Sequence, residues 1–255
     1  SSYYNMDELI TNFNKKLNIS NDNNVTVQFD INQEYIYLIL NINEDYSEAL
    51  NLLKDIFENS IAQKYLIALY SLSQSECTRN GKCGMEIGMA REKDQCAVLK
   101  YFLGETINYN IDNSLPEDFK IRNEKISIKH SSGKIGTPVK AKWTSSDNSV
   151  QNAIKIIINE RDEYYPHLLI TYIDLINKKI TIICITAEYN KYVIKTLKEE
   201  AFIIQKGNSR GIEYSKKAMV MFLSKPYFRI TIEDADLTNG INPIDRRLNY
   251  IKKLK

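Results

Sequence analysis

Glycine and proline are scarce, 9 and 5 among 255 residues, which excludes collagen-like, low-complexity and linker-dominated architectures. Histidine occurs only at His130 and His167, and Cys77, Cys83, Cys96 and Cys184 show no paired short spacing of the zinc-ribbon kind. Neither a Cys/His metal cage nor a disulfide scaffold is expected, and the four cysteines read as reduced thiols. No run approaches the ~18 consecutive apolar residues of a membrane span. The start, Ser1 to Leu9, is polar and acidic rather than basic and then apolar, so a soluble cytoplasmic protein is expected. Charge of one sign is also lacking: 34 basic against 32 acidic residues give +2. With no global field to attract a polyanion, any nucleic-acid site must be local.

What the chain does contain is a 43% hydrophobic and 26% charged composition, ordinary for a globular protein able to bury a core. Leu9, Ile10, Phe13 and Leu17 recur at helical spacing, and Val25 to Phe29 with Tyr35 to Leu40 read as a short hairpin. Tyr46 to Phe57 and Ala62 to Leu72 read as amphipathic helices. The Ser-, Gly- and charge-rich Ser73 to Gly84 is the candidate boundary. It separates an N-terminal helical and hairpin region, 1–75, suited to DNA binding or dimerisation, from a larger domain, 76–255. In the latter, Ile87 to Leu103 fits a long helix stopped by Gly104, followed by a strand from Thr106 to Tyr109. Phe119 to Ile121 and Ile126 to Lys129 make a hairpin. A helix at Val150 to Asn159, strands at Leu168 to Ile176 and Lys179 to Ile185, a helix from Tyr189 to Glu200, a helical piece near Ser215 to Phe222 and a strand from Tyr227 to Ile232 complete it. A basic tail ends the chain. This order predicts an α/β fold with a mixed sheet flanked by helices and an additional N-terminal α/β layer.

The chemistry concentrates between Leu115 and Ser132. If Ile126 and Ile128 face a core, Ser127 and Lys129 project together from the other face, because side chains alternate along a strand. Asp118 opens the partner strand, so the hairpin brings a carboxylate beside an ammonium at one sheet end. That arrangement suits phosphodiester hydrolysis, in which carboxylate oxygens hold a hard divalent cation and a lysine orients or deprotonates the attacking water. The same segment is basic: from Asp118 to Lys142 there are seven lysines and arginines against two acids.

Pro116-Glu117-Asp118-Phe119 followed by Ile126-Ser127-Ile128-Lys129 resembles the PD-(D/E)XK nuclease superfamily. The continuation Lys129-His130-Ser131-Ser132-Gly133-Lys134 resembles its type II restriction endonucleases. The resemblance implies that Asp118 and Ser127 are ligands of Mg²⁺ and that Lys129 assists the nucleophile; Ser127 stands where the pattern has Asp or Glu. Gly88-Met89-Ala90-Arg91-Glu92 resembles the helix that supplies a further glutamate, Glu92, with Glu86 as its alternative. If Ser127 merely fills a polar slot, Glu117 or Glu124 is the second ligand. The resemblance further implies a restriction-endonuclease-like fold, double-stranded DNA as partner and, for a palindromic target, a homodimer. His130, Ser131, Ser132, Lys134, Lys140 and Lys142 are candidate DNA contacts, and Lys134 to Lys142 reads as a mobile loop after the catalytic strand. Asn208 and Arg210, in the polar run 206–211, suit base edges. Two rival readings keep the fold: a structure-selective nuclease of the resolvase or repair kind, and a catalytically inactive DNA-binding protein, motivated by Ser127.

Overall fold

The computed structural model describes residues 26–29, 36–39, 46–81, 85–109, 117–143, 150–204, 211–238 and 243–254. The chain divides into two compact units, Ser1–Tyr46 and Ser47–Lys255. In the first, β1 (Thr26–Phe29) and β2 (Ile36–Ile39) pair antiparallel, Thr26 opposite Ile39, as the hairpin pattern predicts. The helix expected at Met6 to Leu17 lies outside the described residues.

The second unit begins with helices α1 (Glu48–Glu58), α2 (Ser60–Arg79) and α3 (Met85–Leu103). Ser47 caps α1 by accepting from the Leu50 N–H, and Asn59 caps α2 by accepting from those of Ile61 and Ala62, each satisfying amide donors that a helix start leaves orphaned. Helix α2 runs through most of the stretch expected as the domain boundary. Ser73 is buried and Ser75 half-buried, so that composition marks the end of a helix and the turn after it. Gly104, with φ +56°, ends α3 in a conformation costly for other residues.

Six strands form the main sheet in the order β11-β8-β7-β5-β4-β3: β3 (Ile107–Tyr109), β4 (Phe119–Ile121), β5 (Glu124–Ser131), β7 (His167–Asp174), β8 (Lys179–Ile185) and β11 (Phe228–Ile232). Within it β5 and β7 run parallel and the other neighbouring pairs antiparallel. A second sheet, β6-β10-β9, joins β6 (Lys140–Trp143), β10 (Gly211–Tyr214) and β9 (Phe202–Ile204). These strands of three or four residues carry too little alternation for the pattern to reveal them.

Two cores sandwich the main sheet. One joins α1, α2 and α3 through Leu50, Leu53, Leu66 and Leu99 to Phe119, Ile126, Ile128, Leu169 and Ile182. The other joins α4 (Val150–Ile158), α5 (Ala187–Leu197) and α6 (Lys216–Ser224) through Ile154, Val193 and Phe222 to Leu168, Ile170, Tyr172 and Ile183. Buried on both faces, β7 reads as the continuous apolar run expected of such a strand. The basic tail is helical, α7 spanning Pro243–Lys253. Among the described residues no helix is long and apolar enough to cross a membrane.

Candidate active site

A two-residue turn sets the geometry. Arg122 and Asn123 both have positive φ, 49° and 67°, the conformation whose twist matches that of paired strands. Glu124 and Lys125, expected in the turn, belong to β5, in the register Ile121↔Glu124 and Phe119↔Ile126. Strand β5 continues to Ser131 while β4 begins only at Phe119, so the edge of β5 beyond Ile126 loses its neighbour. Asp118 takes over at that point. Its N–H donates to the Ile126 carbonyl at 2.9 Å, and its Oδ2 accepts from the Ile128 N–H at 2.5 Å and from the Ser127 hydroxyl at 3.2 Å. A carboxylate thus caps backbone that a longer β4 would have paired.

Ser127 is 2% exposed, and its hydroxyl is a donor to Asp118. Lys129, half-buried, follows two residues on, on the same face of β5. Glu92 approaches from α3, and its Oε1 accepts from the Tyr109 hydroxyl at 3.0 Å. Burial raises its carboxyl above the ordinary range, the Asp118 charge adds to this, and the Tyr109 hydrogen bond and the charges of Lys129 and Lys93 oppose it. Asp118 and Lys129, the two groups expected to act with Glu92, each bear on that carboxyl through their charge. Among the described residues no three His, Cys, Asp or Glu side chains converge as a metal cage.

The alternative ligands are engaged elsewhere. Glu86 is exposed in the first turn of α3. Glu117 is buried and pairs with Lys120 at 3.4 Å. Glu124 accepts from the Ser47 hydroxyl at 2.7 Å, the Ala49 N–H at 3.2 Å and His167 Nε2 at 2.9 Å, tying the start of β5 to the start of α1. His167 Nδ1 accepts from the Ala187 N–H at 2.8 Å, so its proton sits on Nε2 and points at Glu124; this histidine is a structural bridge. Burial opposes the charge on Glu124, but the hydrogen bonds from His167, Ser47 and Ala49 outweigh it and leave the carboxyl below its ordinary value. A carboxylate with a lowered folded pKa contributes stability that is present above its unfolded value and lost as pH falls through the folded one. Glu124→Gln is expected to cost about 1–3 kcal/mol at pH 7, with the gap to wild type narrowing toward pH 3. Urea melts at the two pH values check this, and a gap independent of pH contradicts it.

Of the expected DNA contacts, His130 turns inward. Its Nε2 lies 2.8 Å from the hydroxyl of buried Tyr70, on the face of β5 opposite Lys129. Burial, with the nearby charges of Arg91 and Lys129, pushes its pKa down to about 3, so it is neutral at physiological pH. Ser131 Oγ accepts from the Gly133 N–H at 3.1 Å, and Ser132 Oγ accepts from Arg91 Nη1 at 2.9 Å. Lys134 and Lys142 are exposed, whereas Lys140 pairs with Glu213 at 3.8 Å. The loop that reads as mobile is held: Thr137 donates twice to the Lys134 carbonyl, and the Tyr172 hydroxyl donates to the Thr137 carbonyl at 2.9 Å. Asn208 and Arg210 lie outside the described residues.

Sequence reasoning missed two features. Tyr109 sits on a three-residue strand with no motif around it. Arg91, 2% exposed, bridges Ser132 to Gln74 Oε1, the latter at 2.7 Å. Beside it, buried Gln95 donates to Thr171 at 3.1 Å. A polar layer thus runs between α2, α3 and the end of β5, and its only sequence trace is an arginine on a helix face otherwise facing the core.

A mixed sheet between two helical layers is the fold of a restriction endonuclease. One solved structure, described as "Restriction endonuclease in complex with substrate DNA", superposes with a TM-score of 0.62 at 24% identity, covering 79% of this chain and 99% of that one. The family model for "Restriction endonuclease ThaI" matches residues 52–249, and the chain belongs to that family of DNA endonucleases. No curated protein matches it.

Proposed function

We propose that the chain is a divalent-metal-dependent, sequence-specific double-strand DNA endonuclease, a type II restriction enzyme of the PD-(D/E)XK kind, acting as a homodimer on a palindromic site. The observation that supports this reading is the placement of Asp118 on the edge of β5 through the Ile128 N–H, of Glu92 beside the same ladder through Tyr109, and of Lys129 one residue past Ile128. The donor set fits a magnesium ion. Two hard anionic oxygens without a third protein carboxylate match a cation that takes one or two carboxylates and completes its shell with water and substrate phosphate. The Ile128 carbonyl, on the same strand edge as its N–H, offers a further oxygen.

Asp118 and Glu92 would hold the cation, which supplies positive charge to the phosphate as its bonds rearrange. The Ser127 hydroxyl and the Ile128 N–H fix the Asp118 carboxylate. Lys129 orients the attacking water as an ammonium or, in its neutral form, takes the water's proton as the new P–O bond forms, while the departing ester oxygen is protonated by solvent. Lys134, Lys142, Lys140, Ser131 and Ser132 follow β5 and supply contacts to phosphates, and Asn208 and Arg210 read base edges. Residues 1–75 serve DNA binding or dimerisation. Incubating the purified chain with plasmid and Mg²⁺, then sequencing the ends, tests this directly. One recurrent palindrome at every end is expected; breaks at branched or damaged sites alone indicate a structure-selective nuclease instead.

Because Ser127 donates to Asp118, it acts as an orienting group rather than a charged ligand. Ser127→Ala is expected to lower cleavage about tenfold, the scale of one hydrogen bond to a charged group, and less than removal of either carboxylate charge. Ser127→Asp is expected to be tolerated in Mg²⁺. Cleavage rates against Mg²⁺ concentration check both, and a silent Ser127→Ala beside a Glu124→Gln that is folded but inactive would move the second ligand to Glu124. The inactive-protein reading rests on the same serine and requires that a calorimetric Mg²⁺ or Ca²⁺ titration give no heat.

A further inference from the structure

We propose that Tyr109 is the positioning residue for Glu92 and thereby sets the affinity of the site for its divalent cation; this rests on the reading of Asp118 and Glu92 as the metal ligands. The two carboxylates are held by different means. Asp118 is fixed by its own strand, through the Ile128 N–H and the Ser127 hydroxyl. Glu92 projects from a helix on three rotatable bonds, and among the described residues the hydrogen bond that fixes it is the one from Tyr109. A flexible glutamate that must be ordered on metal binding loses affinity to that ordering. A rigid tyrosine holding Oε1 restricts the side chain beforehand and leaves Oε2 to the cation.

The placement of Tyr109 supports a role at the site rather than in the core. It ends β3 and pairs in register with Phe119, the residue after Asp118. The β3–β4–β5 ladder therefore brings Tyr109, Asp118 and Ser127 into one neighbourhood, with α3 supplying Glu92. Tyr109 is 42% exposed, so burial gives little reason for a tyrosine there, while its hydroxyl reaches a carboxylate on another element. Hydrogen-bond partners of metal-ligating carboxylates typically govern affinity by about 10–100-fold.

The test is Ca²⁺ titration by calorimetry on the whole protein for wild type, Tyr109→Phe and Glu92→Gln. It is accompanied by the Mg²⁺ dependence of cleavage and by DNA binding in EDTA. Tyr109→Phe keeps the ring, and unchanged thermal melting confirms the fold. The expected result is a loss of Ca²⁺ affinity of about 10–100-fold and a matching rise in the Mg²⁺ midpoint, with the rate at saturating Mg²⁺ and DNA binding in EDTA little changed. A Tyr109→Phe protein with wild-type Ca²⁺ affinity, beside a Glu92→Gln protein that has lost it, overturns the positioning role alone. Wild-type Ca²⁺ affinity in Glu92→Gln overturns the metal-site reading beneath it. Weakened DNA binding in EDTA with Ca²⁺ affinity intact makes Tyr109 a DNA contact and likewise overturns the proposal.

Discussion

Lys129→Ala is expected to slow DNA cleavage by about 10²–10⁴-fold, the range of positioned proton-transfer groups, while specific DNA binding stays within about tenfold. The lysine stands on β5 one residue beyond Ile128, whose N–H anchors Asp118, and its charge bears on Glu92. An ammonium there is placed for the water and phosphate at the carboxylates rather than for a groove. Lys129→Arg divides the two roles left to it. A guanidinium keeps the charge but does not release a proton near neutrality, so an inactive arginine variant points to proton transfer and a partly active one to orientation. Alanine cutting at near wild-type rate would remove Lys129 from the mechanism.

Asp118→Asn is expected to remove both activity and cation affinity, cleavage falling by at least about a thousandfold, as the loss of several kcal/mol of charge stabilisation implies. The substitution is structurally mild because the amide oxygen can still accept from the Ile128 N–H and the Ser127 hydroxyl, so the β4–β5 junction survives. What disappears is the negative charge that a hard cation requires. The fold is expected to melt normally, DNA binding in EDTA to persist, and Ca²⁺ to bind no longer. Unchanged Ca²⁺ affinity in this variant would place the metal elsewhere.

The hairpin at 119–131 was legible because it depends on a local rule, alternation fixing which side chains share a face; its two-residue turn was not, Glu124 and Lys125 belonging to the strand. Strands β7 and β8 announced themselves by long β-branched runs, and α1 by its apolar spacing. The continuation of α2 to Arg79 was not legible, since Ser73, which looks like linker in a one-dimensional reading, is buried in that helix. Nor was the inward turn of His130, which depends on Tyr70, far away in sequence. Glu124 and Glu117 stood in the sequence as alternatives to Ser127 for the second ligand. What separates them from Asp118 is tertiary: Glu124 is consumed by Ser47, Ala49 and His167, Glu117 is buried against Lys120, and Asp118 accepts from Ser127 and Ile128 on the edge of β5. Tyr109 and the Arg91 layer were invisible for the same reason, being built from residues that meet only when α2, α3 and the sheet edge come together.

The most direct measurement is anomalous diffraction from crystals of the protein with duplex DNA soaked in Mn²⁺, a cation with the oxygen preference of Mg²⁺. The predicted result is a manganese peak between the carboxylates of Asp118 and Glu92, beside a DNA phosphate and within reach of Lys129. A peak at Glu117 or Glu124, or none at the β4–β5 junction while DNA occupies the protein, would contradict it.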